Sequence, residues 1–173
     1  MNKLVITIDP GSVQSAFIVT EGSIIDKGII LNDLMVSKLL SYGNSDAVVV
    51  IEEIKSYGMP VGQSVIDTCY IIGRLVQVCI ANGIDYHMVP RKTIVTSLCG
   101  SSNAGDTNVR QVLRDNYTKT QLKGIKYDLW ASLAIYHWYI SDPSSPLRTG
   151  GRGGSGAMHS SLSKKDLDDF LSS

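Results

Sequence analysis

Two apolar runs that each lead into an acid constrain the fold of this chain more than any other feature. Residues 4–8 lead into Asp9, and residues 47–51 lead into Glu52. Continuous aliphatic and β-branched runs of this kind are typical of strands that are covered on both faces. Because parallel strands end at the same edge of a sheet, we expect the two acids to converge there. A Pro-Gly pair follows Asp9, so a turn in which this Asp bonds its own backbone is the alternative interpretation.

The remaining apolar pattern predicts an α/β fold with a five-stranded mixed sheet flanked by helices. Three further strands are expected, at residues 15–20, 23–30 and 84–89. Helices are expected at residues 32–40, 61–82, 90–98, 106–117 and 127–139. The second of these has an apolar stripe at helical spacing, formed by Ile66, Cys69, Tyr70, Gly73, Val76 and Ile80. We place one domain at residues 1–140 and a flexible Gly/Ser-rich tail at residues 141–173.

Composition indicates a soluble globular protein of 173 residues, with 43% hydrophobic and 18% charged residues. No apolar run reaches about 18 residues, so we expect no membrane span. The N-terminus lacks the layout of a signal peptide. Cys69, Cys79 and Cys99 show no CxxC spacing and lie in apolar surroundings. We therefore predict a cytosolic protein with reduced core thiols and no zinc site.

A third acid, Asp128, stands at the start of the last predicted helix. It is also explained as a helix N-terminal acid stabilised by the helix dipole. If it joined Asp9 and Glu52, the three carboxylates would repel one another unless a cation neutralised them. Hard oxygen ligands suit Mg²⁺ or Mn²⁺, and two such ions can hydrolyse a phosphodiester.

Five motifs in order across residues 3–140 resemble one known family. They are ITIDPGSVQSAF, VVIEE, IIGRLVQV, VPRKTIVTSLCG and YDLWASLAIYHW. The chain resembles the RuvC-type Holliday junction resolvases of the ribonuclease H-like superfamily. The resemblance implies a ribonuclease H-like fold, a homodimer, Mg²⁺ dependence and symmetric nicking of four-way DNA junctions. It also implies a bacterial, bacteriophage or other viral source, and a place in the bacterial cytoplasm or the infected cell.

The resemblance assigns the catalytic and metal-binding roles to Asp9, Glu52 and Asp128. The sequence departs from the family at Ala131, where a second acid usually follows the first by three residues. Positions 128 and 131 share a helix face, so one carboxylate serves where two are usual. Glu53 or a water could compensate.

Net charge is zero, but basic residues outnumber acidic ones between residues 55 and 126. A solvated basic surface would explain this excess without any ligand. In the family, residues at the positions of Arg91 and Lys92 face the phosphate backbone. The full set of candidate phosphate contacts is Lys55, Arg74, Arg91, Lys92, Arg110, Lys123 and Lys126. Arg74 is equally compatible with a bond to core or dimer groups. Tyr57 is a candidate for stacking on a base.

Three other functions fit parts of the sequence. One is a nuclease for other branched DNA, such as flaps and forks. Another is a junction-binding protein with weak catalysis, which Ala131 favours. The actin-like ATPases and sugar kinases share an Asp-x-Gly-Ser strand end, but they need a second domain that 173 residues do not supply. In the tail, residues 164–171 could dock on a protein partner as a short helix, or serve only as a solubilising end.

Overall fold

The computed structural model describes residues 3–42, 46–58 and 60–149. The strands and helices follow one another in the order that the apolar patterns predict, with one short helix added at the end. The strands are β1 (Leu4–Asp9), β2 (Gln14–Thr20), β3 (Ile24–Leu31), β4 (Ala47–Glu53) and β5 (Asp85–Pro90). The helices are α1 (Asn32–Tyr42), α2 (Gln63–Ala81), α3 (Arg91–Cys99), α4 (Asp106–Asn116), α5 (Leu129–Ser141) and α6 (Pro146–Thr149).

The five strands form one mixed sheet in the order β3-β2-β1-β4-β5. The β1–β2 and β2–β3 pairs are antiparallel, as expected of consecutive strands joined by short turns. The β1–β4 and β4–β5 pairs are parallel. Helix α2 connects β4 to β5, whereas β2, β3 and α1 lie between β1 and β4 in the chain. The predicted α/β class, with a five-stranded mixed sheet flanked by helices, is confirmed.

Each face of the sheet is covered by a different set of helices. Val5, Val48 and Val50 point to the face that packs against α3, α4 and α5. Ile6 and Ile8 point to the opposite face, which packs against α1 and α2. Side chains alternate along a strand, so this double coverage explains why β1 and β4 have uninterrupted apolar sequences.

Helix α2 packs on the sheet through a different stripe from the one predicted. Its buried residues are Thr68, Ile72, Leu75 and Cys79. The predicted stripe lies largely on the outer side, where Ile66, Tyr70 and Ile80 are 37%, 67% and 57% exposed. Both sides of α2 are apolar, so periodicity alone does not identify the inner one.

By length and average hydropathy, α2 could also cross a membrane, although it contains Asp67 and Arg74. The expectation that no segment spans a membrane stays a prediction. The inner side of α2 is part of the packed core, which is a property of helices in globular folds.

Helix α5 is the most buried helix, and the described structure continues beyond it. Seven residues of α5 are buried, among them Leu133, Ile135 and Trp138. After α5, Ser145 is fully buried and its hydroxyl donates to the carbonyl of Tyr139 at 2.7 Å. The described structure therefore extends past the boundary that we predicted at residue 140. Residues 150–173, including the proposed partner-binding segment 164–171, lie outside the described residues.

The three cysteines are free thiols, but they differ in burial. Cys79 is buried, Cys99 is half-buried and Cys69 is exposed on α2. The prediction of core thiols was therefore wrong for Cys69.

Candidate active site

The parallel register of β1 and β4 places Asp9 and Glu52 on the same face of the sheet. Val5 lies opposite Val48 and Thr7 lies opposite Val50. Because side chains alternate in direction, Asp9 and Glu52 continue that series at the carboxyl ends of the two strands. They project toward the face that α5 covers. The expected convergence of the two strand-end acids is therefore found.

Helix α5 is fixed to this face by a buried hydrogen bond. The hydroxyl of Thr7 donates to the backbone carbonyl of Ser132 at 3.0 Å. This contact places the start of α5, with Asp128 just before it, beside the strand ends. Asp128 is the N-cap residue of α5, but its side chain makes no capping hydrogen bond. Its carboxylate is therefore not tied up in a cap and faces the cavity, while its position at the helix start also agrees with stabilisation by the helix dipole.

The acids line a single open cavity of about 310 Å³. Ala131 lines it too, at the position where a second acid was expected. The full lining consists of Asp9, Glu52, Arg91, Asp106, Val109, Arg110, Tyr127, Asp128, Trp130 and Ala131.

A polar network under the turn holds the end of β1 in place. The Asn32 side-chain amide donates to the carbonyl of Gly11 at 2.9 Å, and the Ser15 hydroxyl donates to the Asn32 side-chain oxygen at 2.6 Å. A Cβ atom at Gly11 would lie 2.4 Å from the carbonyl oxygen of Gln14, so only glycine fits there. The turn is thus anchored independently of the Asp9 carboxylate.

Burial makes the two strand-end acids electrostatically unfavourable. Burial, with the neighbouring Glu52 charge, raises the pKa of Asp9 from 3.8 to about 7. The pKa of Glu52 is also raised, mainly by burial, although Arg91 opposes that shift. Burial thus raises the pKa of both carboxylates, and perturbed pKa values are a common property of functional sites.

Arg91 occupies the space between two of the carboxylates. Its guanidinium donates to Glu52 Oε2 at 3.4 Å and to Asp106 Oδ1 at 2.5 Å. Arg91 was predicted to contact DNA, which stays a prediction, and the structure places its guanidinium among the acids. Asp106, the first residue of α4, was missed by the sequence analysis. The available signal was an acid directly after a Gly-rich loop, which also describes an ordinary helix start.

Comparison with known proteins shows which fold builds this cavity. The chain aligns with a T. thermophilus RuvC structure in complex with a Holliday junction substrate, with a TM-score of 0.65 and 14% identity. That alignment covers 87% of this chain and 98% of the RuvC chain. The chain has the RuvC fold. A second Thermus thermophilus RuvC structure matches over the same shares of both chains, with a TM-score of 0.62 and 15% identity.

No family model matches the sequence, and no curated protein does either. The likeness to RuvC therefore lies in the fold, which confirms the ribonuclease H-like architecture implied by the five motifs.

Oxygen donors suited to a hard divalent cation line the cavity of this RuvC fold. Asp9, Glu52 and Asp128 are of the type that Mg²⁺ and Mn²⁺ prefer. A cation would also relieve the unfavourable charge on Asp9. Within residues 3–42, 46–58 and 60–149, however, no three His, Cys, Asp or Glu side chains form a ready metal cluster. The acids fit a cation in donor type and share one cavity, but their present spacing is not that of a formed metal site, and Arg91 contacts Glu52.

Glu53 does not replace the acid missing at position 131. It follows Glu52 on β4 and so points to the other face of the sheet. Its carboxylate pairs with Lys55 at 3.4 Å and does not line the cavity.

A second cavity of about 510 Å³ lies on the other side of the start of α3. Lys55, Tyr57 and Lys92 line it, and the Lys92 ammonium lies 5.2 Å from the centre of the Tyr57 ring. Tyr57 is 59% exposed, so its ring is accessible. Three of the predicted DNA-contacting residues are thus brought together, next to the acid-lined cavity.

The other predicted contacts are more dispersed. Arg110 lines the acid-lined cavity, and its buried Nε atom has no hydrogen-bond partner among the described residues. Lys126 lies beside that cavity, 5.7 Å from the Tyr127 ring centre. Lys123 is exposed in the preceding loop. Arg74 pairs with Asp33 at 3.7 Å between α2 and α1 and belongs to neither cavity.

Proposed function

We propose that this protein is a Mg²⁺-dependent endonuclease that resolves four-way DNA junctions by paired symmetric nicks. One observation carries the proposal: Asp9, Glu52 and Asp128 line a single cavity in a fold shared with a junction-bound RuvC structure. The place of action is the cytoplasm of a bacterium or the interior of an infected cell.

Asp9, Glu52 and Asp128 would hold Mg²⁺, for which Mn²⁺ is an adequate substitute. When bound, such ions lower the pKa of an attacking water and stabilise the leaving oxygen of a phosphodiester. Asp9 and Glu52 provide negative charge on rigid strand ends. Arg110 provides a guanidinium in the same cavity, where it orients the phosphate that is cut.

The second cavity would bind the DNA arm beside the cut. Lys55 and Lys92 neutralise backbone phosphates, and each contact steepens the salt dependence of binding by about one unit. Tyr57 stacks on a base exposed at the junction centre, a contact worth roughly 1–3 kcal/mol. Replacing Tyr57 by Ala should weaken junction binding more than duplex binding. In an intact duplex the bases are already stacked on one another, so none is exposed to the Tyr57 ring.

A homodimer would bring two such cavities to one junction. The outer stripe of α2 supports this: Ile66, Tyr70 and Ile80 are exposed, and the Cβ position of Gly73 is open. Exposed apolar stripes of this kind mark protein interfaces. A two-fold arrangement of α2 helices would bury the stripe of each copy against the same stripe of the other.

The dimer is tested by light scattering after size-exclusion chromatography. Tyr70→Glu should convert the dimer to a monomer without lowering the melting temperature of the fold, because the side chain is 67% exposed. A wild-type protein that is monomeric at micromolar concentration would contradict this part of the proposal.

The activity is tested on a labelled four-way junction beside a flap, a fork and a linear duplex. Each substrate is incubated with Mg²⁺ and with EDTA, and Asp9→Asn is the matched control. Paired symmetric nicks in the junction alone, lost with EDTA and in the variant, are the expected result. Cutting of flaps and forks as well would indicate a nuclease for branched DNA of broader specificity.

A second candidate is a junction-binding protein with weak catalysis. Ala131 favours it, because this residue contributes no ligand to the cavity. Tight binding of the junction without any cutting, under both Mg²⁺ and Mn²⁺, would select this function over the nuclease.

A further inference from the structure

Arg91 bridges two carboxylates that line the cavity. The guanidinium contacts Glu52 from one side and Asp106 from the other, at 3.4 and 2.5 Å. A positive charge therefore already lies between these two acids. On the side of the cavity that α5 forms, position 131 offers no carboxylate, because Ala131 stands there.

Asp106 is well placed to serve as a ligand. It is the first residue of α4, and its side chain is 67% exposed, so the carboxylate can change rotamer at little cost. Gly105 is the N-cap residue of this helix. One turn later, Arg110 also lines the cavity. Helix α4 thus presents an acid and a guanidinium to the same space.

We infer that Asp106 supplies the carboxylate that is missing at position 131, and that a divalent cation competes with Arg91 for Glu52 and Asp106. This inference rests on the proposed function, since it assigns a further ligand to the same cavity. It also assigns two successive roles to Arg91. The guanidinium neutralises the acids until the cation binds, and it is then free to contact a phosphate of the DNA.

Competition between Arg91 and a cation has a measurable sign. Removing Arg91 leaves the carboxylates without their internal counter-charge, so the affinity for a divalent cation should increase several-fold. Removing Asp106 should decrease that affinity on the order of 10-fold or more. Loss of a residue that only hydrogen-bonds to a metal ligand already costs about 10-fold, and loss of a ligand should cost at least as much.

The experiment measures Mn²⁺ binding to the full chain without DNA, by electron paramagnetic resonance and by calorimetry. The variants are Asp106→Asn, Arg91→Gln, the double variant, and Asp115→Asn as the matched control. Asp115 is an exposed acid of the same helix, where it accepts a hydrogen bond from Gln111. We expect weaker binding for Asp106→Asn, tighter binding for Arg91→Gln, and no change for Asp115→Asn.

The double variant separates a ligand from a mere partner of Arg91. If Asp106 is a ligand, Asp106→Asn weakens Mn²⁺ binding in the Arg91→Gln background as well. If it acts only through Arg91, the substitution has no effect in that background, and the inference is overturned. Unchanged or tighter binding for Asp106→Asn alone would overturn it too.

Asp9→Asn distinguishes this failure from failure of the proposed function. If Asp9→Asn abolishes Mn²⁺ binding and Asp106→Asn does not, the cation site stands and only the role of Asp106 is lost. If Asp9→Asn binds Mn²⁺ like the wild type, the cation is not held in this cavity, and both proposals fail.

Discussion

The four acids of the cavity form two pairs that differ in how the fold holds them. Asp9 and Glu52 end the two central strands and are largely buried, with the Glu52 side chain only 14% exposed. Asp106 and Asp128 stand at the starts of α4 and α5 and are exposed. The strand pair is positioned by the sheet register at an electrostatic cost, whereas the helix pair costs little and is free to adjust. The strand pair therefore provides fixed positions, whereas the helix pair carries negative charge at little cost in stability.

The largest expected effect is on cleavage. Asp9→Asn and Glu52→Gln should each lower the rate of junction cutting by more than about 100-fold, because no other residue can take their fixed positions. Asp128→Asn should cost less, roughly 10–100-fold, because an adjustable neighbour can partly replace it. Single-turnover cleavage with saturating enzyme measures all three. A greater loss for Asp128→Asn than for Asp9→Asn would break the distinction between the pairs.

The second effect is on the pH dependence of stability, and it arises from Asp9 of the strand pair. The pKa of Asp9 rises from 3.8 to about 7 on folding, mainly through burial. Between these values the native state holds a proton that the unfolded state has lost, so this group lowers stability as pH increases. Asp9→Asn should therefore be more stable than wild type at pH 8 by roughly 1–3 kcal/mol, and this advantage should shrink toward pH 4.

Urea unfolding in EDTA across that pH range measures the difference between the two proteins. The subtraction cancels the titration of groups that the substitution leaves unaffected. An Asp9→Asn variant that is less stable than wild type at pH 8 would show that the Asp9 carboxylate is well compensated, contrary to the comparison.

The smallest effect concerns the helix pair. Asp106→Asn and Asp128→Asn should lower the free energy of unfolding by no more than about 1 kcal/mol, because exposed acids near helix starts contribute little. The sign is opposite to that expected for Asp9→Asn. The same urea experiment at pH 8 checks it, and a loss well above 1 kcal/mol would mean that the Asp106–Arg91 pair is needed for folding.

Sequence reasoning predicted the strand pair because its signal is local. An apolar run followed by an acid specifies both the strand and the edge at which its acid emerges, and β1 and β4 obey that rule. The same reasoning did not assign the inner side of α2, because Ile72 and Ile66 are equally apolar and periodicity measures spacing only. Burial depends on the neighbouring elements, which the pattern does not contain.

The pairing of Arg91 could not be predicted for a similar reason. Asp106 is 15 residues away in sequence, and a helix and a loop separate the two residues. A basic residue near a strand end is as suitable for a phosphate as for a carboxylate. Only the packing of α4 against α3 decides which partner is within reach.

The Thr7–Ser132 hydrogen bond links residues that are 125 positions apart. During synthesis, β1 to β4 leave the ribosome long before α5 does. At about 5–20 residues per second, the interval between Glu53 and the end of α5 lasts several seconds. A nascent chain in that interval can carry the strand-end acids, but it lacks the wall that α5 contributes. Whatever chemistry the cavity performs is therefore withheld until the chain has been made as far as α5.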